Sequence, residues 1–205
     1  MKRARASRRK SCAYVGKGGL KLEFALRHFG LSVSGLTCAD LGCHRGGFTD
    51  CLLQHGALRV HAVDTACGIL DWKLRSDPRV ALHERTNLIY WKSPEPLDLA
   101  VIDAGWTPQR LSIPAALHSL KPGGVLLSLV KPQYEVERSR LQRGVLAAGE
   151  LAPAMERVRA ALGGLARILG EVQSPIPGSG GNTEFWLNLR PWQAASSRSF
   201  RPAGR

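Results

Sequence analysis

The chain has 205 residues and a formal net charge of +13, because 29 lysines and arginines outnumber 16 aspartates and glutamates. This length corresponds to about one domain, and 44% hydrophobic residues favour a folded chain over a disordered one. The longest apolar runs are far shorter than the roughly 20 residues that cross a bilayer, so we expect no membrane span. Five cysteines without a CxxC pair are typical of reduced thiols. We therefore expect a cytoplasmic protein without a metal site.

The excess positive charge is concentrated in the two terminal segments. Residues 1–10 contain six lysines or arginines and residues 191–205 contain three, and neither segment contains an acid. The residues between them carry a net charge of only +4. Basic tails are typical of proteins that bind a polyanion, although a merely solvated tail is an equal alternative. We interpret residues 1–13 and 191–205 as flexible basic arms that flank one domain of residues 14–190.

Between the arms, short β-type runs alternate with helical periods. The helical spacing is clearest at Leu22, Ala25, Leu26 and Phe29, and again from Leu151 to Leu165. Such alternation predicts an α/β, Rossmann-like fold with a mostly parallel sheet and helices on both faces. The seven predicted strands are residues 36–41, 59–64, 80–84, 97–103, 124–131, 169–175 and 183–190. Residues 174–182 are rich in glycine and proline and predict a loop.

The first two predicted strands end in polar residues, where open α/β sheets collect their ligands. The first contains Asp40 and runs into a turn with G-x-x-x-G-G spacing, which differs from the dinucleotide fingerprint, and Phe48 stands where a P-loop needs lysine. The second ends at Asp64, about where an acid accepts hydrogen bonds from ribose hydroxyls. A nucleoside without a pyrophosphate fits this pattern, and S-adenosylmethionine is the obvious candidate. The alternative is a structural tight turn followed by a strand-end acid.

A carboxylate and an ammonium end the next two neighbouring strands. Asp103 closes one strand, and Lys131 follows the apolar run 125–130 and precedes a proline. Because both lie at the carboxyl edge of the sheet, we expect them to meet over the cofactor instead of forming a surface salt bridge. Lys21 and Glu184 also lie near loop edges, but each taken alone is more typical of a solvated side chain.

Five linked motifs occur in order between residues 14 and 190. They are Tyr14-Val-Gly-Lys-Gly-Gly-Leu-Lys21-Leu-Glu, Gly46-Gly47-Phe-Thr-Asp-Cys51, Asp77-Pro-Arg-Val80 with Glu84-Arg-Thr-Asn87, Val130-Lys131-Pro-Gln-Tyr-Glu135, and Ser174-Pro-Ile with Gly181-Asn182-Thr-Glu184. Together they closely resemble the TlyA (hemolysin A) branch of the FtsJ-like RNA 2′-O-methyltransferases. Several linked motifs are far more specific than a glycine loop alone.

The resemblance implies a methyl donor, an acceptor and a set of catalytic residues. The implied donor is S-adenosylmethionine, and the implied acceptor is ribosomal RNA or a ribosomal subunit. A catalytic Lys-Asp-Lys-Glu tetrad maps onto Lys21, Asp103, Lys131 and Glu184. The cofactor residues expected from the strand ends and the family positions are Asp40, Gly42, Gly46, Gly47, Phe48, Asp64, Thr86, Asn87 and Asp103. We expect a monomer or a weak dimer.

Two roles remain open for Lys131. A charged ammonium cannot accept the proton of a ribose hydroxyl, so a catalytic base at this position must be partly neutral, a state that burial and the like charge of Lys21 favour. Asp103 opposes that shift while it orients the amine. In the alternative, Lys131 stays charged and steers the hydroxyl and the developing alkoxide, while the proton is lost to water.

The chain departs from the family pattern at three places. His44 and Arg45 occupy positions of small polar residues, where Arg45 either contacts the cofactor carboxylate or faces solvent. After Asp103 the sequence Ala-Gly-Trp106 replaces the usual serine and phenylalanine, and Trp106 either stacks on an unpaired base or packs in the core. Typical members also carry an N-terminal RNA-binding domain, whereas only a short basic arm precedes Tyr14.

Two other classes of function compete with RNA methylation. A non-catalytic RNA-binding or ribosome-binding protein would retain the fold and the arms, but it has no need of four charges that converge on a crevice. A methyltransferase with a non-RNA acceptor is disfavoured only by the basic arms. A cytolysin, which the hemolysin label suggests, would need a wider apolar helical face than any segment shows.

We predict that deletion of residues 1–10 flattens the slope of log K against log salt for RNA binding, because fewer phosphate counterions are then released. A titration of RNA affinity with salt measures the slope for the full and the shortened chain. An unchanged slope would show that the N-terminal arm does not contact RNA.

Overall fold

The seven-stranded sheet and its helices account for most of residues 13–192, the part of the chain that our computed structural model describes. Nearly all of the two predicted basic arms, residues 1–12 and 193–205, therefore lies outside the described residues. The helices are α1 (Lys17–His28), α2 (Gly47–Gln54), α3 (Trp72–Arg75), α4 (Gln109–Leu117) and α5 (Ala148–Leu162). The strands of the sheet are β1 (Thr37–Leu41), β2 (Arg59–Val63), β3 (Val80–His83), β4 (Leu97–Ile102), β5 (Leu120–Val130), β8 (Ala166–Gln173) and β9 (Phe185–Pro191). A separate hairpin pairs β6 (Leu141–Gln142) with β7 (Val145–Leu146).

The strand order in the sheet is β3-β2-β1-β4-β5-β9-β8. Of the seven strands in this sheet, β9 alone runs in the opposite direction, so the expected mostly parallel Rossmann-like sheet is confirmed. Strand β1 is buried along its whole length, and β4 nearly so, as expected for central strands covered by helices on both faces. Because the parallel strands end at one edge, the residues that follow β1, β2, β4 and β5 gather there.

Two apolar layers lie on opposite faces of the sheet. One face packs against α1 and α2, with Leu22 and Leu52 fully buried. The other packs against α4 and α5, with Ile113, Met155 and Leu162 buried. The amphipathic period that predicted a helix near Leu22 therefore corresponds to α1, whose buried residues recur at helical spacing.

The predicted boundaries needed small corrections. Helix α5 ends at Leu162, so Leu165 of the predicted period lies outside it and is exposed. Two glycines follow Leu162, and Gly164 has a φ of +78°, which ends the helix. Strand β8 covers residues 166–173, whereas the prediction was 169–175. Strand β9 begins at Phe185, two residues later than predicted, so Glu184 precedes it. The hairpin of β6 and β7 was not predicted.

The buried His61 of β2 and the half-buried His83, the last residue of β3, join these two strands. The Nδ1 atom of His61 lies 3.1 Å from Nε2 of His83, and its Nε2 lies 3.1 Å from Oε1 of Glu95. Burial first, and then the neighbouring His61, lower the pKa of His83 from its ordinary value. The neutral form of His83 is therefore favoured in the folded state.

This lowered pKa predicts a loss of stability in mild acid. Below about pH 6.5 the unfolded chain binds a proton at His83 that the folded chain binds less readily, so the free energy of unfolding falls as the pH falls. Chemical denaturation at pH 7.5 and 5.5 measures this change. We expect His83→Asn to show a smaller change than the unmodified protein, whereas equal changes would contradict the prediction.

Candidate active site

The ends of β4 and β5 bring a carboxylate and an ammonium together. Asp103 directly follows β4 and Lys131 directly follows β5, and the two strands are parallel neighbours. The Nζ atom of Lys131 lies 2.6 Å from Oδ1 of Asp103, and both side chains are largely shielded from solvent. The sequence-based expectation that these two residues meet at the carboxyl edge agrees with this geometry.

The second ion pair joins helix α1 to the segment that precedes β9. The Nζ atom of Lys21 lies 2.5 Å from Oε2 of Glu184, with 8% of Lys21 and 2% of Glu184 exposed. Each residue taken alone was expected to be solvated, and that expectation is wrong for both. They are buried because the register pairs Val130 with Phe185, which brings Glu184 up to the end of β5 and against α1.

The four charges act on one another electrostatically. Burial lowers the pKa of Lys131, but the negative charges of Asp103 and Glu184 outweigh it, so the pKa lies above the ordinary value. Burial raises the pKa of Glu184, while Lys21 and Lys131 oppose this rise. The raised pKa keeps Lys131 in its ammonium form at neutral pH in this site.

The turn after β1 approaches the backbone of Asp103 closely. Gly42 has a φ of +97°, and a Cβ atom at this position would lie 2.5 Å from the carbonyl oxygen of Asp103. Both the conformation and the close approach therefore require glycine. The next glycines of the turn, Gly46 and Gly47, precede and begin α2, and Gly47 lies against the backbone of Gly18 in α1.

A cavity of about 250 Å³ lies between this turn, Asp103 and the beginning of α1. Asp40 lies at its base and is fully buried; Oδ2 accepts hydrogen bonds from the Thr49 N–H and hydroxyl at 2.8 and 2.7 Å. Its Oδ1 atom is buried and has no partner among the described residues. Burial raises the pKa of Asp40 to about 7, although the hydrogen bonds from Thr49 oppose this. The cavity is lined by Gly16, Lys17, Gly18, Asp40, Gly42, Cys43, His44, Arg45, Gly47, Phe48 and Asp103.

Four of the expected cofactor residues, Gly46, Asp64, Thr86 and Asn87, do not line this cavity. Gly46 lies against the side chains of Leu70 and Leu74. Asp64 accepts hydrogen bonds from the backbone N–H groups of His44 at 2.7 Å and Ala66 at 2.8 Å. The backbone N–H of Thr86 donates to the carbonyl oxygen of Asp64. The Asn87 side chain accepts a hydrogen bond from the backbone N–H of Ile89. The ends of β2 and β3 are thus tied to each other and to the glycine turn.

The beginning of α1 is a part of the cavity that the sequence analysis did not identify. Gly16, Lys17 and Gly18 line it, and no side chain among the described residues caps the first N–H groups of α1. Unpaired N–H groups at a helix N-terminus favour a negatively charged ligand group. The glycine-rich stretch 16–19, just before an amphipathic period, was the feature of the sequence that could have indicated this part of the cavity. Arg45, whose place was left open, is exposed at the cavity rim.

A second hollow of about 500 Å³ is formed by the loops that carry Asp103, Lys131 and Glu184. Trp106 is 78% exposed, so it does not pack in the core. It lies 4.8 Å from the ring of Tyr134 and has a φ of +67°, which is uncommon for a residue other than glycine. The hollow is lined by Trp106, Gln133, Tyr134, Val136, Arg138, Leu141, Gly144, Ser179, Gly180 and Asn182.

One known family matches nearly all of the described part of the chain. The model of the FtsJ-like methyltransferase family matches residues 14–190, which include both ion pairs and both cavities. The chain belongs to this family. Among residues 13–192, no group of three or more histidine, cysteine, aspartate or glutamate side chains is placed to hold a metal ion. No helix in the same range is long and apolar enough to cross a membrane.

Similar proteins support the assignment to this family. YqxC of Bacillus subtilis is 40% identical over 186 residues, which cover 86% of this chain and 65% of YqxC. The Mycobacterium tuberculosis protein named 16S/23S rRNA (cytidine-2′-O)-methyltransferase TlyA is 35% identical, with coverage of 93% of this chain and 74% of that protein. The solved structure of a candidate hemolysin from Streptococcus thermophilus has a TM-score of 0.85 and 37% identity, with coverage of 90% of this chain and 70% of its own. This chain thus spans just under two thirds of the length of YqxC.

We predict that Gly42→Ala weakens the binding of a ligand in the smaller cavity and destabilises the fold. Gly30→Ala is the matched control, because Gly30 also has a positive φ but a Cβ atom there meets nothing within 4 Å. The control isolates a backbone cost of about 1–2 kcal/mol, to which Gly42→Ala adds the clash with Asp103. Chemical denaturation measures both variants, and equal losses of stability would contradict the close approach at Gly42.

Proposed function

We propose that this protein transfers the methyl group of S-adenosylmethionine to a ribose 2′-hydroxyl of ribosomal RNA. The observation that carries the proposal is the pair of coupled ion pairs, Lys131–Asp103 and Lys21–Glu184, at the carboxyl edge of the sheet. The family supplies the reaction type, and the name of the Mycobacterium tuberculosis relative supplies the acceptor class.

The smaller cavity fits the methionine part of this cofactor. The buried Oδ1 atom of Asp40 lacks a partner and can accept a hydrogen bond from an ammonium, and Asp103 adds negative charge near a sulfonium. The uncapped N–H groups of α1, with Lys17 and Arg45, complement a carboxylate. The cofactor would thus be held by complementary charges on both sides.

The nucleoside part would lie beyond the glycine turn. Asp64 would accept hydrogen bonds from the ribose hydroxyls, since each ionised carboxylate oxygen can accept more than one hydrogen bond. Residues 86–87 would lie near the adenine, as the family resemblance implies. The hydrogen bonds from His44 and Thr86 to Asp64 support this assignment because they fix the strand ends relative to the cavity.

The bound cofactor supplies a methyl group on a positively charged sulfur. Lys131, held by Asp103, would orient the ribose oxygen and stabilise its developing negative charge, while the hydroxyl proton leaves to water. The raised pKa of Lys131 supports this steering role, because a protonated amine cannot act as the base. The ion pair of Lys21 with Glu184 would hold a second pair of charges in a fixed position beside Lys131. Positioning of this kind accounts for several kcal/mol in well-oriented reactions.

The second hollow would receive the acceptor RNA. Three of its loops also carry tetrad residues, so a nucleotide in it lies next to Lys131. The exposed Trp106 ring beside Tyr134 suits stacking with an unpaired base, a contact worth about 1–3 kcal/mol in single-strand binders. Ribosomal RNA as the acceptor implies that the protein acts in the cytoplasm.

We predict that Lys131→Ala lowers methyl transfer to ribosomal RNA by about 10²-fold or more, the usual loss when one group that stabilises a developing oxyanion is removed. The affinity for S-adenosylmethionine should stay close to that of the unmodified protein, because Lys131 does not line the smaller cavity. Transfer of a labelled methyl group and calorimetric titration of the cofactor measure the two quantities separately.

Lys121→Ala is the matched control, because Lys121 lies at the opposite end of β5 and is also paired with an aspartate, Asp98, at 2.7 Å. It should leave methyl transfer unchanged. Thermal unfolding of both variants checks whether the loss of the Asp103 ion-pair partner destabilises the fold. A folded Lys131→Ala variant with full activity would contradict the proposed role.

A further inference from the structure

A basic hollow of about 470 Å³ lies at the edge of the sheet opposite the candidate active site. It is lined by Gly123, Arg167, Arg190, Pro191 and Trp192. Both arginines are exposed, and neither forms an ion pair or a side-chain hydrogen bond with another residue in the range 13–192. Within the described part of the chain, no acidic residue lines the hollow.

The two arginines face each other directly across neighbouring strands. Arg167 of β8 and Arg190 of β9 are partners in the antiparallel register. Like charges in directly opposed positions destabilise a sheet. The arrangement is therefore unfavourable for the fold alone, and an anion between the two guanidinium groups would offset the repulsion.

The arginine and tryptophan side chains of the hollow suit a phosphodiester backbone. Arginine presents planar N–H donors that match phosphate oxygens, and two of them side by side provide a bidentate clamp. Trp192 is 59% exposed at the same hollow and offers a flat surface to a base or a sugar. Residues 193–205, which follow Trp192 in the sequence, include three arginines and no acid.

We propose that Arg167, Arg190 and Trp192 form a second RNA-contact site, which holds the substrate backbone away from the methylated nucleotide. This proposal rests on the proposed function for the identity of the RNA. Leu189 pairs with Leu126 of β5, so one further step of the register places Arg190 level with Val125. Val125 precedes Lys131 by six residues, which corresponds to roughly 20 Å along the strand. The site therefore binds a part of the RNA several nucleotides distant from the acceptor ribose, and it contributes affinity without taking part in the reaction.

The test uses the double variant Arg167→Gln/Arg190→Gln of the full chain, with deproteinised ribosomal RNA as the probe. We expect about tenfold weaker binding, and a slope of log K against log salt that is smaller by about 0.7–0.9, the value for one lost phosphate contact. The KM for ribosomal RNA should rise in proportion, while kcat and the affinity for S-adenosylmethionine stay unchanged. Thermal stability should be equal or higher, because the repulsion between the two arginines is removed.

The matched control is Arg27→Gln/Arg157→Gln, which removes the same net charge from two exposed helical positions. If the control weakens RNA binding as much as the test variant, the effect is one of overall charge and the proposed site is wrong. Unchanged affinity and salt slope in the test variant would also overturn it. An equal loss of affinity for polyglutamate and for ribosomal RNA would indicate an acidic protein partner and would likewise contradict the proposal.

The failure of this proposal can be distinguished from the failure of the proposed function. Methyl transfer to ribosomal RNA by the unmodified protein tests the reaction, whereas binding and its salt dependence test the arginine pair. Normal methylation by the unmodified protein, together with unchanged RNA affinity and salt slope in the double variant, would overturn only the second RNA-contact site. Absence of methylation would overturn the proposed function while the binding measurement still decides on the arginine pair.

Discussion

The ion pair between Lys131 and Asp103 is the interaction on which the candidate site depends. It forms because β4 and β5 are parallel neighbours and end at the same edge of the sheet. The turn after β1 can lie against it only because Gly42 has no side chain. The antiparallel β9 then brings Glu184 to the same place from the opposite chain direction, and Lys21 of α1 closes the set. Four charges from four distant parts of the sequence thus share one partly buried environment.

That environment also determines what Lys131 can do. An isolated buried lysine loses its proton readily, but this lysine faces two carboxylates whose charge outweighs the effect of burial. The same arrangement that holds the amine in position therefore keeps it charged. A fixed ammonium costs no reorganisation when negative charge develops on a nearby oxygen, which is why the geometry suits stabilisation of an alkoxide better than abstraction of a proton.

Much of the fold and part of the site could be predicted from the sequence. The alternation of strands and helices predicted the parallel sheet. The polar strand ends at Asp64, Asp103 and Lys131 predicted the edge of the sheet at which the candidate site lies. Single positions were less informative. The burial of Lys21 and Glu184 depends on the antiparallel register of β9, and that pairing has no local signal in the sequence. The end of α5 was missed because the apolar period continues to Leu165 past the glycine pair that stops the helix.

The most direct measurement of the central claim is the position of the transferred methyl group. Ribosomal RNA is incubated with the protein and methyl-labelled S-adenosylmethionine and then hydrolysed with alkali, which cannot cleave next to a 2′-O-methylated ribose. We expect the label in alkali-resistant dinucleotides and, after complete digestion, in a 2′-O-methylated nucleoside. Label on a base, or no label on ribosomal RNA, would contradict it.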